Sequence, residues 1–149
     1  ITLLLSNSTG AFLGFINGII ILTAPSTTGF FMNYSVVGTF ITCLTKTTVA
    51  GFIAGLIFKG LKEKPLLGTI LASISLPIIN TGMFVGYTFA FFMKGIEELA
   101  GKAGFENPVV YLFIGFIGIN FIIEFAVNSL LSPFISQLYT KKFLKEKNS

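Results

Sequence analysis

A single carboxylate, Glu124, interrupts the apolar run GFIGINFIIEFAVNSLLSPFI, with Asn120 four residues before it and Asn128 four residues after. On a helix that spacing sets all three side chains on one face, drifting by about 40° per step. A charged group at membrane depth costs about 2.5 kcal/mol or more, so a chain that keeps one between two amides is building a polar site inside a helix bundle. Three further polar groups stand in apolar surroundings: Lys46 in TFITCLTKTTVAG, Asn80 in LPIINTG just after Pro77, and Asn17 on a glycine-bearing face. Residues on separate helices at similar depth can converge on one cavity, where burial costs less if they pair or hold a polar ligand.

Each of these groups has more than one use. Glu124 can partner Lys46 or a backbone amide, hold a ligand, or exchange a proton. Lys46 can pair with Glu124, meet an anionic ligand group, or extend outward along its four-carbon stem. Asn80 can bind a ligand or satisfy the carbonyl that Pro77 leaves without a donor. The phenylalanines are read as filler and lipid-facing surface, and sequence alone does not separate Phe84, Phe89 and Phe121.

The residue inventory excludes several chemistries. With no His and with Cys43 as the one cysteine, zinc and iron–sulfur sites are not expected, and neither a metal nor a cofactor is called for. No His is available for a triad, and no Gly-rich loop ends in Lys-Ser/Thr, so the chain is not read as an enzyme and cannot hydrolyse ATP through a P-loop. An energised role needs a partner or an ion gradient.

These side chains must be positioned by helices in a membrane. The chain is 53% hydrophobic and 11% charged, with 18 Phe among 149 residues, and its mean hydropathy is +0.87. Soluble domains carry about 25% charged residues, so this chain has too little polar surface for a water-soluble globule. The expected fold is an all-α integral membrane protein, one transmembrane domain over residues 1–149, with four or five spans in a helical bundle. The spans are expected at residues 9–22, 35–58, 65–93 and 108–139, and residues 1–5 read as the tail of an earlier span. The last segment exceeds a hydrocarbon core of about 30 Å and must tilt, kink or extend beyond it.

The net charge of +4 comes from lysines at helix ends, which points to membrane topology rather than to nucleic acid. Lys59, Lys62 and Lys64 lie between the second and third spans, and Lys141, Lys142, Lys145 and Lys147 follow the fourth. Two spans separate the clusters, so both fit one cytoplasmic side, the C-terminus with them. Residues 23–34 and 94–107 then form outer loops, rich in turn formers such as Pro25, Gly29, Gly95, Gly101 and Gly104, and long enough to cover a binding site. Gly10, Gly14 and Gly18, with Gly51/Gly55 and Gly82/Gly86, repeat at intervals of four and read as close-packing helix faces.

Several of these runs resemble a known family. SNSTGAFLGFINGIIIL is similar to the third helix of S components, the substrate-binding membrane subunits of energy-coupling factor (ECF) vitamin transporters. TKTTVAGFIAGLIFKGLKEK looks like their fourth helix, LASISLPIINTGMFVG like the fifth, and GINFIIEFAVNSLLSP like the sixth. The resemblance implies a six-helix fold whose first helix and most of the second are absent here, so residues for docking a coupling subunit are not assigned. It implies a bacterial, multi-pass cell-membrane protein that captures a vitamin or precursor, with the two outer loops closing over it. Its partners would be a transmembrane coupling subunit and two ATPase subunits. Lys46, where the family often has Arg, suits a carboxylate, and Asn80, Asn120 and Asn128 suit hydroxyl and amide groups. Pantothenate fits that set best. The alternatives are a proton-coupled secondary transporter using Glu124 and a noncatalytic membrane scaffold.

Overall fold

A computed structural model of the chain describes residues 7–147. The expected remnant at residues 1–5 lies outside the described residues. Those described form helices joined by short wide turns: α1 (Asn7–Thr23), α2 (Met32–Tyr34), α3 (Val36–Gly60), α4 (Pro65–Tyr87), α5 (Met93–Lys102), α6 (Pro108–Tyr111) and α7 (Gly118–Lys147). π-helical segments at Thr27–Phe31, Thr88–Phe92 and Leu112–Ile117 precede α2, α5 and α7.

Local chemistry sets most of the boundaries. Ser35, extended at φ −159°, accepts the Gly38 N–H on its side chain and starts α3. Pro65 and Pro108 open α4 and α6, where a missing N–H costs nothing. Asn107 accepts from the N–H groups of Val109 and Val110 at 2.9 and 3.3 Å. At the end of α5, Phe105 N–H reaches Ala100 O and Gly104 N–H reaches Gly101 O, with Gly104 at φ +78°. That is a Schellman closure, and it needs glycine because a Cβ disfavours the left-handed region.

Successive long helices run antiparallel. Gly10, Gly14 and Gly18 of α1 meet Gly51, Thr47 and Cys43 of α3 in that order. Thr45 of α3 is hydrogen-bonded to Tyr87 of α4 at 2.8 Å, and Gly68 of α4 packs on Phe58 and Leu61 near the turn between these helices. Ala54, Phe58 and Ala72 form a small-residue core there. A second core, at the other end, joins Ile96, Leu112 and Ile117 with Phe84, Val85 and Phe121. Thus α3 and α4 sit centrally while α1 and α7 flank them.

Two helices, Val36–Gly60 and the unbroken rod Pro65–Lys102, are long and apolar enough to cross a membrane. The pair Ser8–Thr23 and Thr27–Tyr34 adds a third if it is one broken span. Among the described residues, then, two or three helices pass on length and composition, against the four or five spans expected. Of the last segment, Phe121–Phe134 is a shorter apolar helix within α7.

Both expected outer loops are largely helical. Residues 23–34 bend by 67° and continue as helix. Pro25 causes this: its ring cannot continue α1, yet it can begin the next segment. Residues 94–107 continue the third span as α5 as far as Lys102. The glycine expectations divide as well. Gly14, Gly18 and Gly51 lie against backbone of the facing helix and Gly55 is buried, whereas Gly82 and Gly86 are exposed with open space around them.

A Cβ at Gly14 would collide with the Thr47 carbonyl and the Thr48 backbone, which no side-chain rotation relieves. Gly14→Ala should therefore destabilise the fold by about 1–3 kcal/mol, while Gly82→Ala should stay within about 0.5 kcal/mol of wild type. Thermal unfolding in detergent checks both, and equal losses would contradict the packing described.

Candidate functional site

Hydroxyl groups in the apolar zone are mostly satisfied by their own helix. Thr39, Thr42, Thr45, Thr47 and Thr48 of α3 each donate to the carbonyl four residues back, at 2.6–2.9 Å. Thr69 of α4 does the same at 2.8 Å. Such back-bonding removes the cost of an unpaired hydroxyl in an apolar medium. The amides and charges of the apolar zone are placed differently.

These line two adjoining cavities. The larger, about 770 Å³, is bounded by Lys46 of α3, Asn80, Thr81 and Phe84 of α4, Phe121, Glu124 and Asn128 of α7, and Ser26 and Phe31 from the bent segment. The smaller, about 400 Å³, lies between Gly10, Gly14 and Asn17 of α1 and Glu124 and Asn128 of α7, over Thr47 and Gly51 of α3 and Leu76 and Asn80 of α4. Asn80, Glu124, Asn128 and Ile21 are common to both and form the partition between them.

The chain thus brings together Lys46, Asn80, Glu124 and Asn128 around the larger chamber, and Asn17 with the last three around the smaller one. The backbone of Asn120 belongs to α7, but its side chain lies outside the described residues. Phe84 and Phe121 line the larger chamber, while Phe89 is 48% exposed.

Lys46 and Glu124 share the larger chamber without forming an ion pair. The ammonium instead lies over the Phe84 ring, 5.3 Å from its centroid, within cation–π range. Asn80 Oδ1 is buried with no hydrogen-bond partner among the described residues, and neither is the Asn80 amide bonded to the carbonyl that Pro77 leaves free. Thr88 Oγ1 and Ser129 Oγ share that condition, but of the three only Asn80 lines the chambers. Buried polar atoms nearly always find a partner, so an orphan on a cavity wall is an exception.

The bent segment covers the end of the larger chamber opposite the Lys59–Lys64 turn. Phe31 makes edge contacts with Phe84 and Phe92 at centroid distances of 5.8 and 5.0 Å. Rings of Phe30 and Tyr34 lie on Gly95 of α5, where any side chain would block them. The Tyr34 hydroxyl donates to Glu98 Oε2 at 2.6 Å and ties the segment to α5. No sequence signal links these two residues, which are 64 apart. Thr47, Ser26 and Phe31 were likewise not legible as lining residues, because threonine and phenylalanine recur throughout the chain.

No protein-family model, no curated protein and no solved structure matches this chain.

If Asn80 serves a ligand rather than the fold, its amide is dispensable for stability. Asn80→Leu should leave the unfolding temperature unchanged or raise it, since removing an unpaired buried polar group relieves a cost of about 1–3 kcal/mol. A marked loss of stability would show that the amide has a structural partner instead.

Proposed function

We propose that this chain is the substrate-binding membrane subunit of an ECF-type importer for a small vitamin or precursor. The carrying observation is the pairing, on one cavity, of an ammonium with no carboxylate partner and a buried amide oxygen with no donor, both among the described residues. About 770 Å³ falls within the usual 300–1,000 Å³ range of ligand pockets. Lys46 takes the solute's carboxylate, Asn80 and Asn128 its amide and hydroxyl groups, and Phe31, Phe84 and Phe121 its apolar body. A pantothenate-like acid has that distribution of groups. Asn17 lines the adjoining smaller chamber, and Asn120 is proposed from its spacing of four from Glu124.

The bent segment acts as the cover, with Tyr34 and Glu98 as its fastening. The chain has no nucleotide-binding motif, so a transmembrane coupling subunit and two ATPase subunits would drive release inward. The protein would lie multi-pass in a bacterial cell membrane, with α7 supplying a further span and the C-terminus cytoplasmic. The exposed Lys59, Lys62, Lys64 and Lys141 support that orientation. A second reading, a carrier coupled to protons through Glu124, is favoured by one observation: Glu124 adjoins both chambers. It requires solute uptake by the isolated chain under a pH gradient.

Mass spectrometry of small molecules extracted from gently purified protein tests the proposal directly. A stoichiometric carboxylate vitamin is the expected result, and an empty protein that ignores a vitamin panel defeats it. Lys46→Ala should weaken binding of that acid by about 10- to 150-fold, the loss of a charge-assisted hydrogen bond worth about 1.5–3 kcal/mol. Tyr34→Phe should speed dissociation with little change in the association rate, as read by stopped-flow release.

A further inference from the structure

We infer that the smaller chamber holds a monovalent cation, sodium being the ion to test. The inference rests in part on the proposed capture of an acid in the larger chamber. Charge is the first reason. Among the described residues that line the two chambers, Lys46 is the one cation and Glu124 the one anion. Together they leave the empty site neutral. An acid that neutralises Lys46 leaves Glu124 uncompensated in an apolar bundle, where an unpaired charge is expensive. A cation beside Glu124 restores the balance.

Donor chemistry is the second reason, and it does not depend on the solute. The smaller chamber is lined by the Glu124 carboxylate, the amides of Asn17, Asn80 and Asn128, and Thr47. All are hard oxygen donors, which suit alkali and alkaline-earth cations rather than soft metals. The Thr47 hydroxyl proton is already given to Cys43 O, so its oxygen is left to accept. Asn80 Oδ1 is buried and unpartnered among the described residues. A single carboxylate balances one positive charge and not two, and no cluster of three or more acidic, His or Cys side chains exists among the described residues. That favours a monovalent ion over calcium or magnesium. The chamber, about 400 Å³, has room for the ion and part of its water shell, at about 30 Å³ per water.

Because Asn80, Glu124 and Asn128 border both chambers, ion and solute sit against the same side chains from opposite sides. Each should strengthen the other's binding by the same factor, about 5- to 150-fold for a coupling of ordinary size. The full chain in lipid nanodiscs, titrated with ²²Na⁺ in N-methylglucamine buffer, provides the test. Saturable ²²Na⁺ binding that disappears in Glu124→Gln and persists in Glu97→Gln, an exposed carboxylate on α5, is the expected result. Absence of ²²Na⁺ binding overturns the inference, and so does binding that survives Glu124→Gln in protein of wild-type elution profile. Asn80→Leu gives an independent check, because it should weaken ²²Na⁺ binding without destabilising the fold; unaltered binding overturns the assignment to this chamber. Pantothenate titrated in the presence and absence of sodium reads the coupling separately. Sodium binding lost in Glu124→Gln, with no response to any vitamin, would sustain the cation site and defeat the solute reading. Pantothenate binding that is equally tight in sodium and in N-methylglucamine would sustain the solute reading and overturn the coupled site.

Discussion

The near contact of the α1 and α3 backbones governs the shape of everything around it. Gly14, Gly18 and Gly51 leave no Cβ between the two helices, so carbonyls of one lie against the chain of the other. In an apolar solvent that closeness supplies dispersion contacts where a hydrophobic driving force is missing. It also fixes the rotation of α1. Gly10, Gly14 and Asn17 then face the gap beneath α7, and the smaller chamber exists because α1 is held to α3 and not to α7.

The polar chemistry of the bundle divides sharply. Threonines of α3 spend their hydrogen bonds on their own helix, so they carry little information about a ligand. Among the amides, Asn80 and Asn128 stand on the partition between the chambers. Lys46 rests on an aromatic face, which moderates the cost of a buried ammonium while keeping it available. Glu124 stays within the same cavity but out of contact. The two opposite charges thus share one cavity without pairing.

The cover over the larger chamber shows why some turn signals misread. Pro25 and several glycines suggest loops in residues 23–34 and 94–107, and the chain makes helix in most of both. Pro25 bends the path without ending helical structure. Gly95 serves packing, since it receives the rings of Phe30 and Tyr34. Only Gly104 takes the left-handed conformation that glycine alone adopts easily, and there the helix does stop. A glycine that permits a turn and a glycine that permits contact look identical in sequence.

Composition and spacing by themselves pointed to helices apolar enough to cross a membrane, and the described residues are helical throughout their elements. The same two features also determined which few side chains are too polar for their surroundings. Glu124, Lys46, Asn80 and Asn17 stand out because each is a local anomaly, and local anomalies need no partner to be recognised. The tertiary structure decided what those anomalies share. Packing order and antiparallel register bring α3, α4 and α7 to one depth at Lys46, Asn80 and Glu124, and they separate the Lys46 ammonium from the Glu124 carboxylate. They also turn Gly82 and Gly86 outward while Gly14 and Gly51 turn inward. Helical periodicity gives a residue its face but not the neighbour that face will meet, because the rotation and pairing of helices depend on contacts summed over the whole bundle.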